Sequence, residues 1–164
     1  MATFTGTFSV GLMAGYTSSA DLTTPQEIIN ILLTEAYTSG TGSSQSNAFW
    51  SDTRELIATS ENIDLEGSVI SDSFGVALNF TKIRGLIIRN KATTTGYDLT
   101  IGGDFLRGAS ITTNVPIQTL APGGVLVKTS PIDGITVTSG TGNTININAG
   151  SNTISYDLIL WGIV

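Results

Sequence analysis

The sequence predicts a mainly β protein, an antiparallel β-sandwich or jelly-roll-like barrel with one N-terminal helix. Two observations predict the β part. From Phe49 to the end, apolar and polar residues alternate in short runs, and Gly, Pro, Asn and Ser break those runs at intervals of about 8–12 residues. No helical periodicity lies between the runs, as a parallel sheet would require, so roughly eight or more short strands must pair antiparallel. The third observation is a lone helical signature ahead of that region. It divides the chain into residues 1–48, an arm and helix with a Gly/Ser-rich linker, and residues 49–164, a β-sandwich domain.

Taken in order, Phe4, Phe8, Val10 and Leu12 alternate with Thr5, Thr7, Ser9 and Gly11, which reads as a Gly-weakened strand serving as an arm. Thr24-Pro25-Gln26-Glu27 has the form of a capping box with Pro at the first helical position, and Ile28, Ile29, Leu32, Leu33 and Ala36 follow along one stripe. That spacing predicts a helix over 25–37. The tract Ser39 to Asn47 is rich in Gly and Ser and reads as a hinge or long loop.

Strands are expected at Trp50 to Ala58, Asn62 to Leu65 and Val76 to Phe80, the last entered by a turn at Ser71 to Gly75. Ile83 to Lys91 is apolar on both faces in its middle and charged at its ends, the pattern of a central strand. Tyr97, Leu99 and Ile101 alternate next. Val115, Ile117 and Leu120 lead into Ala121-Pro122-Gly123-Gly124, a type II turn that predicts a hairpin with Val125 to Lys128. Thr144 to Val164 reads as two strands joined by Ala149-Gly150-Ser151-Asn152. Ile154, Tyr156, Leu158 and Leu160 form a core face, and the other face turns apolar at Ile159, Trp161 and Ile163. That outer face needs a cover, either the stripe of the predicted helix or a symmetry-related copy.

Composition narrows the function. The 164 residues are 40% hydrophobic and only 12% charged, against about 25% in an average soluble chain. Net charge is −6, which disfavours nucleic acid and acidic membrane surfaces as partners. There is no Cys, hence no disulfide or thiolate site, and no His, which removes the commonest general base and metal ligand. Enzymatic activity, metals and cofactors are not expected. The first Lys or Arg is Arg54 and no apolar run approaches a membrane span, so the chain is expected to be made in the cytoplasm.

Asp64 and Glu66 share a strand face and invite a calcium or glycosidase-like reading. A solvated edge strand explains them better, since no Gly-pinned ligand loop accompanies them. Lys82, Arg84, Arg89 and Lys91 concentrate four of the seven basic residues around one apolar strand. They suit either a patch for an acidic partner or gatekeeping and pairing with the chain's own carboxylates. Trp50, Tyr97, Tyr156 and Trp161 suggest a sugar-stacking platform or, more simply, core and interface anchors.

Over residues 49–164 the succession WSDTREL, ENIDLEGSVISDSFG, TKIRGLIIRNK, YDLTIGG, LAPGGVLV, GITVTSGT and SYDLILWG resembles a group of small β-rich phage virion proteins. The LAPGG turn and the closing YDLILWG are the most telling parts. The resemblance implies a head decoration or cement protein on the capsid surface, partnered by the major capsid protein and by itself as a homotrimer. It transfers no catalytic residue. The expected subunit seam is Ile159, Trp161 and Ile163, and the expected capsid contact is Phe4, Phe8, Val10, Arg84 and Arg89. A tail or fibre module binding a host glycan is the alternative.

Overall fold

The computed structural model describes residues 3–17, 26–107 and 117–164, and within them the chain is mainly β. The strands are β1 (Gly6–Thr17), β2 (Gln26–Ser39), β3 (Gln45–Ser46), β4 (Ala48–Ile57), β5 (Ser60–Asp64), β6 (Ile70–Ser71), β7 (Ala77–Leu78), β8 (Lys82–Asn90) and β9 (Leu99–Gly102). After a single helical turn, α1 (Asp104–Arg107), come β10 (Gln118–Leu120), β11 (Val125–Thr129), β12 (Ile135–Thr136), β13 (Thr144–Asn148) and β14 (Thr153–Ile163).

Two antiparallel sheets form the body. The larger runs β11-β8-β14-β4, with β12 also on β8, and the smaller runs β10-β9-β13-β5. Alternate residues of both sheets enter one core: Leu86, Ile88, Leu158 and Leu160 from the larger, Ile63, Leu99, Ile101, Ile145 and Ile147 from the smaller, all essentially inaccessible. As expected, β8 is central, flanked by β11 and β14, and its apolar middle is covered on its inner side by that core.

Two expected hairpins are instead crossings between sheets. Ala121-Pro122-Gly123-Gly124 does make its turn, with Gly123 at φ 75° and the Gly124 N–H donating to Ala121 O at 2.8 Å. Yet β10 pairs with β9 and β11 with β8, so the turn carries the chain from the smaller sheet to the larger. Likewise β13 pairs with β5 and β9, while β14 pairs with β4 and β8, and Ala149 to Asn152 bridges the layers. Each flanking strand has an apolar face to bury, and placing the two faces opposite one another buries both. Val115, expected in the strand before the first turn, lies outside the described residues.

The expected N-terminal helix is also corrected. Residues 26–39 form β2, which pairs antiparallel with β1 from Gly6↔Tyr37 to Thr17↔Gln26. Ile28, Ile29 and Ile31 lose side-chain freedom in a helix, whereas β1 offers a ladder partner along twelve residue pairs. The segment IINILL satisfies both periods, and the strand partner decides between them. Thr24 and Pro25, the expected cap, lie outside the described residues. The Ser39–Asn47 tract is held against the body: Ser46 is fully buried and donates from Oγ to Gly162 O at 2.7 Å, and the Ser44 N–H donates to Pro131 O at 2.8 Å.

Outward from the larger sheet, Trp161 of β14 lies across from Gly85 of β8, and a β-bulge follows between Trp161 and Gly162. A Cβ on residue 85 would stand 1.9 Å from the indole ring. Gly85→Ala is therefore expected to destabilise the protein by about 1–3 kcal/mol through overpacking. Chemical denaturation measures the loss, and a red shift in tryptophan emission would report the displaced ring.

Candidate functional site

The described surface has one dominant anomaly, the ribbon formed by β1 and β2. Residues 9–15 and 28–36 are all exposed, so this length of ribbon stands clear of the body. Its register places Val10 opposite Leu33, Leu12 opposite Ile31 and Ala14 opposite Ile29 on one face. Between Val10 and Ala14 that face is an apolar stripe, bounded toward the body by Glu35, which stands opposite Phe8; Leu12, Ile31 and Leu33 are each more than half exposed. The other face mixes Ser9, Gly11, Asn30 and Thr34 with Met13, Ile28 and Leu32. Apart from two residues of β3 beside the end of β2, neither outer edge of the ribbon is paired among the described residues.

At its base the same apolar face docks onto the body. Phe8 packs on Trp161 with ring centroids 5.7 Å apart, Tyr37 meets the same indole edge to face at 5.8 Å, and Phe4 stacks on Phe49 at 6.0 Å. This answers what covers the outer face of β14, where neither a helical stripe nor a second copy is needed over Trp161. Burial pushes the Tyr37 phenol above its ordinary pKa, while the indole of Trp161 acts in the opposite sense. Tyr37 Oη and Trp161 Nε1 are both buried without a well-formed hydrogen bond. A groove of about 520 Å³ remains beside them, lined by Phe4, Phe8, Phe49, Ile87, Ile159 and Trp161 among others.

Of the expected seam residues, Trp161 and Ile163 are 5% and 8% exposed within the single chain, and Ile159 is half-buried in the groove. Of the expected capsid contacts, Phe4 and Phe8 are half-buried against the body, while Val10 and Arg89 are exposed. Arg84 is corrected to the interior: it is buried, and its guanidinium donates to Gly42 O at 2.7 Å, Gln45 O at 3.3 Å and Ile132 O. Backbone carbonyls of the linker tract and of Ile132 supply the acceptors that hold the buried guanidinium. Lys91 pairs with Asp157 at 3.2 Å, as the gatekeeping reading expects.

Asp64 Oδ1 accepts from the Glu66 and Gly67 N–H groups and from Asn143 Nδ2, so this carboxylate organises a turn. No group of three or more Asp, Glu, His or Cys able to hold a metal occurs among the described residues. Trp50, Tyr156 and Trp161 are buried and offer no stacking face.

One cluster escaped sequence reasoning. Arg54 on β4 donates from Nη1 to Glu61 Oε2 of β5 at 2.6 Å and from Nε to Asp52 Oδ2 at 2.9 Å, and its guanidinium lies 5.5 Å from the centre of the Trp50 ring. Buried Tyr156 donates its hydroxyl to Glu61 Oε1. Burial, then Glu61, raises the Tyr156 pKa well above its ordinary value; Arg54 is held up by the two carboxylates against the opposing effect of burial. Because Arg54 and Tyr156 stand on β4 and β14 of the larger sheet and Glu61 on β5 of the smaller, the cluster fastens the layers together. The alternation Trp50-x-Asp52-x-Arg54 was visible, but its partners lie on other strands.

Fold and surface thus define a mainly β protein whose unusual feature is an apolar ribbon. Comparison of the chain with protein-family models, with curated proteins and with solved structures finds no match.

Two outcomes follow from this geometry. Trp161→Ala is expected to lower the unfolding free energy by about 3–5 kcal/mol at every protein concentration, since the indole's cover belongs to its own chain; denaturant titrations at two concentrations check it. The Thr53 hydroxyl, 2.6 Å away, and then Lys91 hold the Asp157 carboxyl below its usual pKa of 3.8. A depressed folded-state value means the charge stabilises the fold above the unfolded pKa and that the benefit is lost as pH falls through the folded value. Asp157→Asn should therefore be less stable than wild type at neutral pH and converge with it in strong acid, as unfolding midpoints across that range would record.

Proposed function

We infer that this chain is a non-enzymatic virion structural protein, a decoration or cement protein that binds the outside of an assembled phage head and stabilises it. The carrying observation is the β1–β2 ribbon, whose apolar face stands in water along most of its length. Such a surface on a soluble protein marks a site meant to be covered in an assembly. The strand orders β4-β14-β8-β11 and β5-β13-β9-β10 support reading the body as a jelly-roll sandwich, an architecture shared by viral capsid and lectin domains. The lectin-like alternative, a tail or fibre module binding a host glycan, is the weaker reading because the tryptophans and Tyr156 are buried.

No chemistry is needed for the role. Several weak contacts that form together only when shell subunits are correctly spaced gain avidity from that spacing, and each contact present only in the closed shell opposes its opening. The outer face of the larger sheet, with exposed Arg89, Val125 and Val127, is the surface offered to the major capsid protein. Purified protein mixed with empty heads lacking it is expected to load at a fixed number per head and to raise the temperature at which heads open. Absence of loading together with binding on a glycan array would sink the cement reading in favour of the fibre module.

A further inference from the structure

We propose that the apolar face of the ribbon is the self-association surface of this protein, packed against the same face of the ribbon in a second copy. The inference rests on reading the ribbon as an assembly device and names its partner. Twelve paired residues span about 40 Å. A two-stranded ribbon of this kind is marginal alone in water, whereas two ribbons packed face to face supply four strands and a dry interior, the smallest arrangement with stability of its own.

The surface itself argues for a copy rather than an unrelated partner. Val10, Leu12, Ala14, Ile29, Ile31 and Leu33 carry no charge and no hydrogen-bonding side chain, so they offer nothing to select a charged groove. They suit an equally apolar, equally extended face, and the second copy presents one. On this face Val10, Leu12, Ile29, Ile31 and Leu33, between 41% and 65% exposed, leave on the order of 500 Å² of surface in water, so that two such faces packed together would bury about 1,000 Å², the lower end for a specific interface. Along β1 the stripe is continuous with Phe8, which with Tyr37 locks the base of the ribbon to Trp161, while Glu35 of β2 marks its margin opposite Phe8. The face is thereby presented in a fixed direction, away from a body that carries most of the charged residues. Contact between ribbons thus brings copies together without pressing two acidic bodies against each other.

Native mass spectrometry and light scattering on the full chain, with no heads present, test the proposal. Wild type is expected to form a closed oligomer of defined size, and the double variant Leu12→Asp, Ile31→Asp to be monomeric with unchanged tryptophan emission, because both residues are exposed and distant from the body. The chain has no Cys, so a lone Leu12→Cys provides a second readout: it should form disulfide-linked dimers under mild oxidation, and Thr53→Cys, on the body, should not. A monomeric wild type, an oligomer that survives the double variant, or open-ended aggregation overturns the proposal. A monomer that still loads onto heads would overturn the self-association alone, whereas an oligomer that fails to load would overturn the cement reading alone.

Discussion

The packing of the Trp161 indole over Gly85 is the constraint on which the outer half of this protein depends. A side chain at residue 85 would occupy the space of the ring, so the glycine lets the indole lie flat against the larger sheet. Phe8 and Tyr37, one from each strand of the ribbon, then close over it. Three aromatic contacts, with Phe4 on Phe49, tie the ribbon to the body. The apolar face is thus consumed at its base and left open beyond Phe8.

The body solves a different problem, that of holding two sheets together in a chain with few charges. Hydrophobic burial supplies the main attraction, as isoleucine and leucine from alternate positions of both sheets meet in one core. β4 and β5 are edge strands of different sheets, and side chains link the two layers there. The Arg54, Glu61 and Tyr156 cluster sits there and satisfies its own polar groups while Trp50 fills the apolar space beneath. Arg84 does comparable work at the end of the sheet, supplying donors to carbonyls of the Ser39–Asn47 tract and of Ile132. Two of the few arginines are therefore structural, and Arg89 is left facing outward.

Much of the body was legible because strand signals are local. Alternation located β8, β9, β13 and β14, and the Pro-Gly pair located a turn whose geometry is as expected. Pairing was not legible, since a short link between two alternating runs suits a hairpin within one sheet as well as a crossing between two. The turn at Ala121 to Gly124 and the link at Ala149 to Asn152 were both read as the former and are the latter. Residues 26–39 failed for a related reason: IINILL carries both the helical and the strand period, and propensity alone could not weigh a partner strand lying some twenty residues earlier.

The sequence by itself determined the mainly β class, the central place of β8, the two-faced apolar end of β14 and the absence of the Cys and His on which so many active sites rely. These follow from residue chemistry and from the period of two, which need no knowledge of neighbours. Only the tertiary structure decided that Trp161 is covered from within its own chain, that Arg84 points inward, and that the apolar residues of β2 form an exposed stripe rather than a helix packed on the body. Each of those outcomes turns on which distant segment lies alongside, and that depends on the free energy of the whole arrangement rather than on any one stretch of it.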